Sequence, residues 1–367
     1  MEKMSKKILF VDEEKRVLEG LKRTLFPLRK EFILVFESDF SRALTLLTKD
    51  NFEVVVTEVK PDLADGLELL KAAYKYQPQA LRIVLSGYLE TDLLLQTLGI
   101  AHQFLSKPVE AKKLKEVIQR GLSLRNLFED KRILQLLGKI TTLPTLPKIY
   151  QQLNQALAKK NVSPQELAEI IIQDMGLTTK ILQLVNSAFF SLARKITRIE
   201  EAIVFLGINT IKSLVLGISV LEEGNKITLP NFSLEYLSGH SLKIAQTLKK
   251  LGIKEGLEPE RGDELFLAGL IHDCGIVILA QNFPSQYQEV ARLIAEGQEL
   301  EQAEKKVFNL THAEIGAYLL NLWGISEDIV TMVFYHHKPL QALDKILEVF
   351  LIHLAEFMDS QNLLENL

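Results

Sequence analysis

One cysteine, one tryptophan and a net charge of only −4 in 367 residues exclude several classes of protein at the outset. A lone Cys274 cannot close an intramolecular disulfide, so the fold has no disulfide framework to lean on. Basic and acidic residues nearly balance, 43 against 47, and no basic segment is interleaved with aromatics. A broad cationic face for nucleic acid is therefore not expected. The nearest approach to a membrane-length run, Ala202 to Val220, contains Asn209, Lys212 and two glycines. Such residues are costly in lipid, and a buried helix-turn-helix in a soluble core is the better reading. The start, Met-Glu-Lys-Met-Ser-Lys-Lys, has no apolar stretch of signal-peptide length, so a cytoplasmic protein without membrane attachment is expected. Low-complexity tracts and short internal repeats are lacking too. What remains is ordinary globular composition, 47% hydrophobic and 25% charged, with length for two or three cores.

In the first third, short apolar runs alternate with amphipathic segments, the pattern of βαβ units around a parallel sheet. Strands are expected near 7–11, 31–36, 53–58, 81–85 and 102–105, with helices between them and one after Pro108. Apolar residues then continue at helical spacing through Leu114, Ile118, Leu122, Phe128, Leu134 and Leu137. This predicts a long helical connector to about Thr141, although Gly121 leaves open a receiver helix followed by a separate short one. Beyond Thr141 the periodicity is helical to the end. Leu143-Pro144-Thr145-Leu146-Pro147 is a rigid entry to a helix near Lys148. Ser163-Pro164-Gln165-Glu166 reads as a helix start, with similar signals at Thr197 and Ser326. Asn225–Ser233 and Glu255–Asp263 read as surface loops. The fold class is α/β plus all-α: a (βα)5 doubly wound parallel sheet over 1–122, a helical connector over 123–140, and an all-helical domain over 141–367.

Chemistry-bearing residues gather at the carboxyl ends of the expected strands, where open α/β sheets place their sites. Asp12 and Glu13 follow the first strand, Glu58 ends the third, Ser86 ends the fourth, and Phe104 and Lys107 belong to the fifth. The loop Pro61-Asp62-Leu63-Ala64-Asp65-Gly66 follows Glu58. Residues 1 to about 122 resemble a response-regulator receiver domain. The resemblance implies a Mg²⁺ site at the acidic pair Asp12 and Glu13, a switch set of Ser86, Phe104 and Lys107, and Glu58 at the phosphoacceptor position, where the family carries aspartate. One extra methylene displaces the attacking carboxylate by about 1 Å, enough to cost orders of magnitude in a positioned phosphoryl transfer. The longer side chain either imitates a phospho-aspartate by reaching toward Lys107 and Ser86, or belongs to a pseudo-receiver used for docking or dimerisation.

Six of the seven histidines lie in the helical domain. Leu270-Ile271-His272-Asp273-Cys274-Gly275, Leu310-Thr311-His312-Ala313-Glu314 and Phe334-Tyr335-His336-His337-Lys338-Pro339 resemble HD phosphohydrolases. With Val185-Asn186-Ser187-Ala188-Phe189-Phe190 and Lys195-Ile196-Thr197-Arg198-Ile199-Glu200-Glu201, they resemble more closely the HDOD branch, over about 141–357. By that resemblance His240, His272, Asp273, His312, His336 and His337 stand where metal ligands would, and Glu356 where a closing aspartate is expected. Imidazoles and a carboxylate suit Fe or Mn. Ile276 stands where catalytic relatives that cleave cyclic dinucleotides carry lysine, and the Gly-Tyr-Pro stretch after the double histidine is absent.

The resemblances imply a signal-transduction protein of the response-regulator and phosphorelay type, a receiver-like domain controlling a non-catalytic HDOD output domain. Protein partners, a sensor kinase among them, and homodimerisation through an apolar seam are expected. The competing reading is a metal-dependent phosphohydrolase acting on a nucleotide or cyclic dinucleotide.

Overall fold

In the computed structural model, residues 6–60, 64–87, 100–128, 131–140, 147–159, 161–187, 194–212, 233–342 and 346–364 are described, with 97, 143, 190, 192, 214 and 215. The chain divides into two units: Met1–Thr141 with Asn186–Arg194 and Leu322–Gly324, and the remainder.

The first unit is built on five parallel strands, β1 (Lys6–Val11), β2 (Phe32–Glu37), β3 (Val54–Glu58), β4 (Leu81–Ser86) and β5 (Gln103–Ser106), in the order β2-β1-β3-β4-β5. Every residue of β3 and β4 is buried, as befits a sheet covered on both faces. Helices α1 (Lys15–Thr24), α2 (Phe40–Lys49), α3 (Ala64–Tyr76) and α4 (Ala111–Ser123) supply the cover. Ala43 and Leu47 of α2 and Leu69 and Ala73 of α3 pack on Leu9, Val11 and Val55. The chain leaves β1 toward β2 on one side, and β3 lies on the other. This switch point puts Asp12 and Glu58 side by side at the carboxyl edge. The helix expected between β4 and β5, and residues 61–63 of the loop after Glu58, lie outside the described residues.

The connector is not one continuous helix. α4 stops at Ser123, a 3-10 turn spans Leu124–Leu127, Phe128 is extended, and α5 (Lys131–Leu137) is a separate short helix. Tertiary contacts explain the break. Phe128, Leu134 and Leu137 are buried. Gly138 approaches Pro78 so closely that an added Cβ would lie 1.8 Å from its carbonyl oxygen. The buried Arg82 side chain donates to the carbonyls of both Pro78 (2.7 Å) and Gly138 (2.5 Å). A straight helix would carry these apolar groups into water, and their burial outweighs the few backbone bonds lost.

The second unit is helical throughout its described residues: α6 (Pro147–Leu157), α7 (Pro164–Ile171), α8 (Met175–Val185), α9 (Ile199–Leu206), α10 (Leu234–Lys254), α11 (Pro259–Ile271), α12 (Cys274–Asn282), α13 (Pro284–Ala295), α14 (Leu300–Phe308), α15 (His312–Leu322), α16 (Glu327–Tyr335) and α17 (Ile346–Leu364). Ser163 and Ser326 cap α7 and α16, accepting from the amides of Glu166 and Ile329. The start expected at Thr197 falls one residue later, on Arg198, while Thr197 lines a cavity. The loop expected to reach Asp263 ends at Glu258, because Pro259 takes the first helical position with Glu260 in the first turn. The run from Ala202 is broken where α9 ends and Gly207 takes φ +84°. Its end at 216–220, the loop 225–232, most of the 143–147 entry, and Ala188 and Phe189 are outside the described residues. Among the described residues no helix is long and apolar enough to cross a membrane.

Candidate functional site

At the carboxyl edge of the sheet, Asp12 and Glu58 are buried and share one cation. The Lys107 ammonium contacts Glu58 Oε1 and lies 2.6 Å from Asp12 Oδ2. Lys107 N donates to Ser86 O (2.9 Å), which sets the lysine beside the hydroxyl residue, and Phe104 is buried on β5, the strand that Lys107 follows. Glu13 turns away from this group and pairs with Lys60, whose ammonium is 3.4 Å from Glu58 Oε1. Glu14 is the third carboxylate within reach of Asp12 and Glu58. Burial pushes the Asp12 carboxyl up, against the hydrogen bond from Lys107. The Glu13 hydrogen bond raises the Lys60 ammonium. Oxygen donors suited to Mg²⁺ are present, and Glu58 Oε2 is buried without a hydrogen-bond partner. Yet Lys107 already bridges two of those donors. The set fits a cation supplied by the chain better than it fits Mg²⁺.

The second cluster is assembled from helix ends. His272 closes α11 and donates from Nδ1 to Gly269 O (2.8 Å), while His336 closes α16 and donates to Val333 O (2.6 Å). Each imidazole thereby satisfies a last-turn carbonyl of its own helix and aims Nε2 away from it. His312 opens α15, and its Nδ1 and backbone amide both donate to Glu304 Oε2 (2.8 and 2.9 Å). His240 Nδ1 lies 2.7 Å from Asp359 Oδ2. Carbonyls and carboxylates behind the rings accept from Nδ1 and turn Nε2 inward.

These nitrogens converge. His312 Nε2 is 3.2 Å from His336 Nε2 and 3.1 Å from His337 Nε2. Asp273 Oδ2 is 3.2 Å and Glu356 Oε1 3.0 Å from His272 Nε2, and Asp273 Oδ1 is 3.4 Å from His312 Nε2. His353 donates to His336 O (3.1 Å) and joins His337 and Glu356 as a further group of possible ligands. Gly275 makes the arrangement feasible: a Cβ there would lie 2.0 Å from His312 O, so only glycine lets α12 meet the start of α15.

Electrostatics divides the rings. Burial disfavours the His272 cation, but Asp273 and Glu356 outweigh it and raise the pKa well above the ordinary value. Burial opposes His312 likewise, and Glu304 prevails, lifting it to about 9. Burial and the neighbouring His337 hold His336 well below the usual range. The carboxyls resist their own burial because the imidazoles attract them: Asp273 is well below the usual range and Glu356 is about 2. Ionised carboxylates and inward-turned imidazole nitrogens about 3 Å apart form a donor set that fits a divalent transition metal once the imidazoles give up their protons.

The structure thus brings together all seven residues expected here: His240, His272, Asp273, His312, His336, His337 and Glu356. Lys60, Glu304, His353 and Asp359 were not among the expected residues. Asp359 could be read from its place three residues after Glu356 on one helix. Glu304 gives no signal beyond being an acid eight residues before His312.

A doubly wound parallel sheet followed by a helical domain with a histidine–carboxylate cluster defines a receiver joined to an HD-like domain. The HDOD domain model matches residues 143–339, more than half of the chain, and the response regulator receiver domain model matches 8–119. The chain belongs to the HDOD family and carries an N-terminal receiver domain, a signal-transduction architecture. An uncharacterized protein of Treponema pallidum (strain Nichols) is 23% identical over 257 residues, 67% of this chain and 48% of that protein. The uncharacterized protein YuxH of Bacillus subtilis (strain 168) is 32% identical over 142 residues, 38% of this chain and 34% of that protein. The chain spans about half or less of the length of these relatives. Among solved structures, the MmoQ response regulator from Methylococcus capsulatus str. Bath is 23% identical with a TM-score of 0.49, covering 59% of this chain and 87% of that one.

Proposed function

We propose that this chain is a response-regulator-type signalling protein in which the receiver domain governs what the HDOD domain presents to a protein partner, without phosphorylation at position 58. The observation that carries this reading is the Lys107 ammonium already bound to Glu58 and Asp12 in a buried pocket. In a phosphorylated receiver the lysine would pair with the new phosphoryl oxygens, and here a longer carboxylate meets it without modification. A sensor kinase would then act through docking or not at all, and the cytoplasm and a homodimer suit such a role. The test is Glu58→Asp with acetyl phosphate and Mg²⁺. The native chain should remain unlabelled and the variant should gain an acid-stable, base-labile phosphate. Labelling of the native chain, or a variant that binds Mg²⁺ yet stays unlabelled, would contradict the reading.

A metal-dependent phosphohydrolase acting on a nucleotide or cyclic dinucleotide is the second reading, and the convergent imidazoles favour it. His240, His272, Asp273, His312, His336, His337 and Glu356 would hold the metal, with Mn or Fe suited to the donor set. A bound divalent ion would polarise a phosphate oxygen and lower the pKa of water. The chain's own contribution is orientation: Glu304 holds the His312 ring, and the helix-end carbonyls hold His272 and His336. Access from solvent runs past the partly exposed His240, His337 and Glu356. Turnover that disappears in His272→Ala would promote this reading over the first.

A further inference from the structure

The segment Thr197-Arg198-Ile199-Glu200 belongs to neither cluster, yet it lines a cavity of about 260 Å³ inside the second unit. α7, α8, the start of α9, α10 and α11 line it, and no histidine is among the lining residues. Ile172, Phe266 and Leu270 form an apolar part, and the rest carries charge. Both cations are committed: Lys249 pairs with Asp263 (2.7 Å), and Arg198 with Glu200 (3.1 Å) and, more loosely, Asp263 (3.9 Å). The carboxylate of the third acid, Glu169, accepts from the neutral Gln165 amide (3.1 Å) and has no cationic partner among the described residues. Three carboxylates against two cations leave the wall one negative charge in excess.

We infer that this cavity is a second ligand site of the HDOD domain, for a small monocationic amphipath: an ammonium group toward Glu169 and an apolar or aromatic body against Ile172, Phe266 and Leu270. Size supports the class, since the volume lies just below the range of about 300 Å³ and upward typical of drug-sized ligands. A cyclic dinucleotide is too large and too anionic. Phe266 adds an aromatic side chain to the apolar part of the wall. The ammonium contributes the charge that the wall lacks, and the body displaces water from the apolar part.

Phenethylammonium and its near-isosteric anion 3-phenylpropionate separate charge from shape. With the full-length chain, saturation-transfer NMR and calorimetry should detect phenethylammonium and not the anion. Glu169→Gln, at an exposed position that leaves the fold intact, should weaken phenethylammonium by on the order of fivefold. Glu169→Lys should reverse the preference, and metal content at the histidines should stay unchanged in both variants. Equal binding of the two probes, binding indifferent to Glu169→Gln, or no binding of phenethylammonium at about 10 mM would each overturn the inference.

Discussion

In the receiver domain, Asp12 and Glu58 share the ammonium of Lys107, whereas in the HDOD domain Asp273 and Glu356 face five imidazoles and, among the described residues, no lysine or arginine. Both clusters bury acids, and both must find positive charge. A lysine is a permanent counter-ion at neutral pH and leaves no vacancy for another. Imidazoles can be cations or ligands, so a metal bound at the second cluster would displace their protons. The first site is neutralised from within by a lysine, whereas the second is lined by groups that a metal would engage.

The sharpest way to break this comparison is steric. Gly275→Ala puts a methyl 2.0 Å from the backbone oxygen of His312, a contact that no rotamer relieves, whereas nothing lies within 4 Å of a Cβ at Gly87 beside the receiver site. Denaturant unfolding of the HDOD domain should show a loss of about 3 kcal/mol or more for Gly275→Ala, and Gly87→Ala should stay within about 0.5 kcal/mol. Comparable losses would mean that the close helix approach is not what holds the histidines.

Orientation from behind the ring comes next. Glu304→Gln keeps the volume but removes the charge behind His312, and metal affinity by chelator competition should fall about 10- to 100-fold. Lys60→Met at the receiver should leave that affinity untouched.

The pH effect is confined to metal-free protein. In metal-free protein the folded chain keeps a proton on His312 up to about 9, while the unfolded chain releases it near pH 6.5. That stabilisation is complete below pH 6.5 and is lost as pH rises toward 9, at a slope of up to about 1.4 kcal/mol per pH unit. Thermal melts of chelator-treated protein between pH 7 and 9 should show the decline, and metal-loaded protein should not. A flat metal-free profile would remove the idea that the histidines carry exchangeable charge.

The strands and the histidine cluster were legible because their signals are local. Unbroken apolar runs such as Val54–Thr57 specify buried parallel strands, and His272-Asp273 and His336-His337 are adjacent in sequence. The connector was legible only as the alternative that Gly121 left open, a separate short helix, because its apolar periodicity also matched one long helix and the contacts of Gly138 with Pro78 and Arg82 are not local. Lys60 and Glu304 escaped for a similar reason. Neither lies in a motif, and each acquires its role only when the fold sets it against Glu13 or His312. Glu13 itself was expected inside the carboxylate group, but its side chain follows Lys60 to the surface.

The two clusters differ most in where a metal would go. Elemental analysis of anaerobically purified full-length protein, beside His272→Ala and Asp12→Ala, addresses that directly. The expected result is a stoichiometric divalent transition metal that is lost in His272→Ala and retained in Asp12→Ala. No metal in the native chain even after reconstitution with Mn²⁺ or Fe²⁺, or a metal that leaves with Asp12 and stays without His272, would contradict it.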